Sequence, residues 1–197
     1  MGAKPEEEQD GRRRRSVASR LKIVEAMLDI VRSGETSPSA EQVADRAGVG
    51  RRTVFRLFRD MDSVYSEMNA TMRQRLSSIL AIPVVGETPA ERLSALIERR
   101  VKFFEETLPV AVAAAVHRPH SPFLQAQHAE VAAELRSILL ANLPSVAATD
   151  PACFEALDMI LSVEAWQRLR IDQKLSVPDA LASVRRAALA TLKGREG

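Results

Sequence analysis

A chain of 197 residues is long enough to bury a sizeable core, either as one compact unit or as two small ones. Hydrophobic residues make up 46%, with only 8 glycines and little β-branched alternation, so local propensity favours helix and no strand pattern stands out. The net charge of +2 is uneven, with 12 Lys/Arg against 5 Asp/Glu in residues 11–59, and the single cysteine, Cys153, excludes an internal disulfide.

Residues 1–15 are polar and without periodicity, and they read as a disordered basic arm carrying Arg12, Arg13, Arg14 and Arg15. No apolar segment follows the basic run and nowhere do eighteen apolar residues run together, so no export signal, no membrane association and a cytoplasmic location are expected. Apolar positions 17, 21, 24, 28 and 31 predict a first helix stopped by Gly34. Ser39 is a good N-cap for a short second helix, Ala40 to Ala47, which ends at Gly48. Arg51 to Phe58 is a third short helix, and Asp60 or Asp62 caps a fourth that runs to about Ala81. Pro83, Gly86 and Pro89 interrupt the chain, and proline-punctuated helices follow over about 89–107, 109–117, 121–143, 150–172 and 177–193. The expectation is an all-α fold of about nine helices, three short and mostly basic and six forming a larger body.

The second and third helices have the packing requirements of a helix-turn-helix. Ala44 is the small residue where the helices cross, Gly48 lies in the turn, and Val43, Ala47, Val49, Val54 and Leu57 point inward. Gly50, Arg51, Arg52, Thr53, Phe55 and Arg56 are left facing out. A short arginine-rich helix suits DNA, because its width matches the major groove and guanidinium groups pair with guanine edges or hold phosphates. A lone basic face is usually solvated surface; here it coincides with the turn spacing and with the local positive surplus.

The stretch LKIVEAMLDIVRSGETSPSAEQVADRAGVGRRTVFRLFRDMDSVYSEM, residues 21–68, resembles the N-terminal domain of the TetR (tetracycline repressor) family of transcriptional regulators. The matching residues are Ala44, Ala47, Gly48 and Val49 at the turn, then Thr53, Val54, Phe55 and Phe58. The resemblance is close over about a quarter of the chain; beyond it only helix count, order and total length agree. It implies a three-helix DNA-binding domain over 16–66 and an all-α ligand-binding and dimerisation domain over 67–197. It also implies that Ser39 holds a phosphate, that Arg51, Arg52 and Thr53 address bases or phosphates, and that Phe55 and Arg56 sit at aromatic and basic contact positions. Two departures stand out: Phe55 often corresponds to tyrosine in the family, and Met61 replaces the usual lysine opening the fourth helix. Arg59 or the Arg12 to Arg15 arm is then expected to supply the missing backbone charge.

The resemblance further implies a ligand cavity within the body, with Met68, Met72, Phe103, Phe104, His117, Phe123, His128, Glu164 and Trp166 as candidates by position. Glu164 can instead pair with Arg168 one turn later. Many small alanines and few aromatics suggest a predominantly apolar effector. The segment 150–172 carries apolar residues on two faces: Phe154, Leu157 and Leu161 on one, Met159, Val163 and Trp166 on the other. With Leu181, Val184, Ala188 and Thr191 of the last helix, the second face predicts a homodimer joined through a four-helix bundle. The function expected is a ligand-responsive repressor binding a palindromic double-stranded DNA operator. The rivals are a non-specific or architectural DNA-binding protein and, less well supported, an all-α enzyme. Three dispersed histidines and one cysteine form no catalytic or metal set that can be assembled, so no cofactor, metal or catalytic residue is expected.

Overall fold

The computed structural model describes residues 4–194, with the backbone alone for 4–10 and for Arg12. Among the described residues there are ten α-helices and no strand. The protein is all-α. The helices are α1 (Lys4–Arg32), α2 (Ala40–Ala47), α3 (Arg51–Leu57), α4 (Met61–Leu80), α5 (Pro89–His117), α6 (Pro122–Asn142), α7 (Pro144–Thr149), α8 (Pro151–Ile160), α9 (Val163–Gln167) and α10 (Val177–Lys193). A single 3-10 turn, Arg118–His120, follows α5, and a π-helical turn, Arg168–Asp172, follows α9.

The chain forms two compact units. The first comprises the chain through Gln74 together with Pro109–Gln125; the second comprises Arg75–Leu108 and the chain from Ala126 onward. In the first, α1 packs on α2 and α3 through Ile23, Val24, Met27, Leu28 and Val31, all buried. Val17 and Leu21, predicted to share that stripe, are exposed at 60% and 53%. The basic arm is also unlike its prediction, since residues 4–15 continue α1 as helix and only positions 1–3 lie outside the described residues at this end.

In the second unit, α7 and α10 pack on α8, around buried Leu139, Leu143, Val146, Leu157, Ala180 and Ala188. Three predicted boundaries differ. Pro109 lies inside α5, which is continuous over 29 residues. The proline costs one backbone hydrogen bond, and it is where α5 leaves the second unit for the first. The predicted helix 150–172 is broken at Leu161 and Ser162, where Ser162 turns extended and its hydroxyl accepts from the Ala165 amide to cap α9. A six-residue α7 occupies what was expected to be a connection.

Candidate nucleic-acid interface and ligand cavity

The turn between α2 and α3 is built by local chemistry. Ser39 Oγ accepts from the Gln42 amide at 3.2 Å and Gln42 Oε1 accepts from the Ser39 amide at 2.7 Å, a reciprocal capping box that opens α2. Gly48 ends it at φ +64°, its N–H shared between the carbonyls of Ala44 and Asp45. Val43, Ala44, Val54 and Phe58 are buried and Ala47, Val49 and Leu57 half-buried, so the inward set is as expected, with Phe58 added. The Arg20 guanidinium lies 4.8 Å from the Phe58 ring centre and is paired with Glu67 at 2.6 Å, which ties α1 to the start of α4.

Opposite that core, Gly50, Arg51, Arg52, Phe55, Arg56 and Arg59 are exposed, Ser39 is exposed, and Thr53 is half-buried. Phe55 is 61% exposed and lies 5.7 Å beneath the Arg51 guanidinium, so the ring holds that arginine against the helix while its charge stays in solvent. The Arg59 side chain is 93% exposed beside Asp60. Of the two candidate caps for α4, Asp60 takes the role, accepting from the Ser63 amide at 2.8 Å. Asp62 instead accepts from the Ser121 hydroxyl at 2.5 Å. On α1, Arg13, Arg14 and Arg15 are exposed; the Arg12 side chain lies outside the described residues. The result is a set of exposed cationic side chains on and beside α3, able to meet an anionic surface without rearranging the core.

The cavity candidates fall in different places. Met68 and Met72 are buried in the first unit, with half-buried Phe123 and His117, whose Nε2 lies 2.8 Å from the Thr36 carbonyl. In the second unit Phe103 is half-buried and Glu164 exposed; the Glu164 carboxylate lies 3.7 Å from His128, while Arg168 pairs with Asp172. The pairing considered between Glu164 and Arg168 is therefore replaced. Phe104 and Trp166, with ring centres 6.5 Å apart, do meet at a cavity. It is lined also by Ile97, Val101, Leu161 and Arg100, and its void is the size of a water molecule. Trp166 Nε1 donates to Glu105 at 2.8 Å, and Arg170 donates to the same carboxylate at 2.9 Å.

Arg100 is the residue that sequence reasoning misses. It is 3% exposed, and it donates to the carbonyl of Leu161 at 2.7 Å, where the break before α9 frees that oxygen, and to the carbonyl of Leu135. Burial lowers the guanidinium to about 10 despite the nearby Asp158 charge. In the sequence it follows Arg99 on a long helix and looks like solvated charge.

Of the residues expected at a dimer face, Met159 is 69% exposed and Val163 and Leu181 are half-buried. Trp166, Val184 and Ala188 are buried within the unit. The break at Ser162 turns Trp166 inward toward Phe104, and Val184 and Ala188 are core positions of α10.

Among the described residues no helix is long and apolar enough to cross a membrane, and no group of three or more His, Cys, Asp or Glu could hold a metal. No protein-family model matches the chain. No curated protein matches its sequence. Among solved structures it is similar to a transcriptional regulator from Rhodococcus sp. Rha1, at 20% identity and a TM-score of 0.69, over 89% of this chain and 96% of that one. At that identity the likeness establishes a shared fold, a helix-turn-helix with a helical body.

Proposed function

We propose that the protein is a TetR-like transcriptional regulator, acting as a dimeric, cytoplasmic repressor that a small molecule releases from a palindromic operator. The observation that carries this reading is the outer face of α3, where Arg51, Arg52, Phe55 and Arg56 are exposed while Val54 on the opposite face is buried. Such a helix enters the major groove, with arginine reading guanine or gripping phosphate and Ser39 supplying a hydroxyl at the start of α2. The fold shared with a transcriptional regulator supports the same conclusion. Residues 16–66 are then the DNA-binding domain and residues 67–197 carry effector binding and dimerisation, with no catalytic role. Met159, Val163 and Leu181 are the remaining apolar candidates for the dimer face.

The mechanism is a population shift. An effector that prefers a conformation with misplaced recognition helices lowers operator affinity by the ratio of its affinities for the two states. Selection of bound duplexes from random DNA tests the reading. A dimer presenting two copies of α3 enriches an inverted repeat whose half-sites are about one helical turn or a multiple apart. Enriched sites without two-fold symmetry contradict it.

A further inference from the structure

The second unit holds a buried cation whose hydrogen bonding is incomplete at the wall of a cavity. Two of the three nitrogens of the Arg100 guanidinium each donate one bond to a backbone carbonyl, those of Leu161 and Leu135. The third, Nε, is buried without a hydrogen-bond partner among the described residues. The carboxylate that favours its charge, Asp158, is held by Arg136 at 3.0 Å. A buried guanidinium with a free N–H and no carboxylate of its own is costly, and the cost falls when an anion arrives.

We propose that this cavity is a carboxylate-binding site, in which Arg100 receives the head group of a small apolar or aromatic monocarboxylate and Phe104 and Trp166 flank its hydrocarbon part. The lining selects that class. Apart from Arg100 and Ser162 every lining residue is apolar or aromatic, and the Ser162 hydroxyl is already engaged, donating to the Met159 carbonyl and accepting from the Ala165 amide. A phosphate brings three strong acceptors and up to two charges, more than a single guanidinium in an otherwise apolar wall offsets, and a cation is repelled. A carboxylate forms a charge-assisted bond to Nε and leaves its tail in apolar surroundings.

The void is smaller than such a ligand, so binding displaces part of the wall. Leu161, Ser162 and Trp166 lie where regular helix is interrupted, with a break before the five-residue α9 and a π-helical turn after it, and the displacement is assigned to that stretch. The Trp166 indole bond to Glu105 sets where that segment rests. This inference rests on the ligand-responsive reading above and names the chemical class of its effector.

Trp166 is the only tryptophan in the chain, so all indole fluorescence comes from the wall of this cavity. The test titrates the full-length protein with straight-chain carboxylates from acetate to decanoate and with phenylacetate. Phenylacetamide, nearly the same shape and uncharged, is the control, and thermal midpoints are recorded alongside. The expected result is a saturable fluorescence change for at least one carboxylate in the series. Phenylacetate is expected to bind roughly tenfold or more tightly than phenylacetamide. Arg100→Met, with circular dichroism confirming its helices, loses that preference, and Arg100→Lys weakens it. Absence of any saturable response across the series, equal affinity for acid and amide, or an unaltered preference in Arg100→Met overturns the proposal. Should Arg100→Met fail to fold, the comparison of acid with amide on the unaltered protein decides. Specific DNA binding by the same preparation separates the two claims. Intact sequence-specific binding without a carboxylate response removes this site and leaves the regulator. A carboxylate response without specific DNA binding does the reverse.

Discussion

Gly48→Ala perturbs the turn that sets α3 against α2, and the structure separates its energetic contributions. At φ +64° an alanine incurs the left-handed backbone penalty of about 1–2 kcal/mol. An added Cβ meets nothing within 4 Å, so no steric contribution accompanies it. Reduced freedom of the unfolded chain returns about 0.4–1 kcal/mol, leaving a net loss near 1 kcal/mol. Gly86→Ala is the internal control. There φ is +158° and the new Cβ lies 2.7 Å from the Arg92 amide nitrogen, so strain and collision act together and the loss is roughly 2–4 kcal/mol. Urea unfolding followed by circular dichroism measures both, with the midpoint carrying the change and the slope held constant. Gly48→Ala is expected to lose the smaller amount and Gly48→Asn less still, since asparagine tolerates this region. A Gly48→Ala variant as stable as the parent, or as damaged as Gly86→Ala, refutes the conformation assigned to the turn.

Arg52→Ala and Thr53→Ala should weaken binding to a selected duplex with unfolding curves unchanged, by about 1–3 kcal/mol where an arginine reads guanine. Val54→Ala, on the buried side of the same helix, should instead lower stability by about 2 kcal/mol, and the pair of readouts checks which face is which. Deleting residues 1–15 removes exposed arginines but leaves the α1 core that begins at Ile23. It should reduce the salt slope of DNA binding by roughly 0.9 for each phosphate no longer neutralised, without changing the selected half-site. An unchanged slope means the extension of α1 does not touch DNA. Glu91 accepts from the amides of Glu87 and Thr88, which holds its carboxyl below the ordinary range. A lowered folded value means the stabilisation is full above the unfolded pKa and is lost as pH falls through the folded one. The thermal midpoint of Glu91→Gln should therefore lie below that of the parent at neutral pH and converge with it in acid.

The parts of the fold that are legible in the sequence are those fixed by neighbours along the chain. Ser39 and Gly48 mark the two ends of α2 through bonds within three or four residues, and α2 begins and ends where those signals put it. The outward face of α3 is legible for the same reason, because one buried valine and one turn fix its rotation. What the sequence hides depends on distant partners. Pro109 is a local break signal, yet α5 runs through it. Trp166 and Met159 look like one apolar face on an unbroken helix; the turn at Ser162 sends the tryptophan to Phe104 and leaves the methionine exposed. Arg100 gives no local hint of burial, since the carbonyls it satisfies come from Leu161 and Leu135. Thr88 and Glu91, whose capping box opens α5, are a local signal of the readable kind that the prolines and glycine around them obscure.

Whether the arginine face of α3 reads a sequence is decided by competition binding. A labelled duplex carrying the selected inverted repeat is bound at physiological salt and challenged with its unlabelled self and with a scrambled duplex of the same composition. The scrambled duplex is expected to compete about a thousandfold or more weakly, and Arg51→Ala combined with Arg52→Ala to remove most of that difference while the protein stays folded. Equal competition by the two duplexes, or full discrimination in the double variant, contradicts sequence reading by that face.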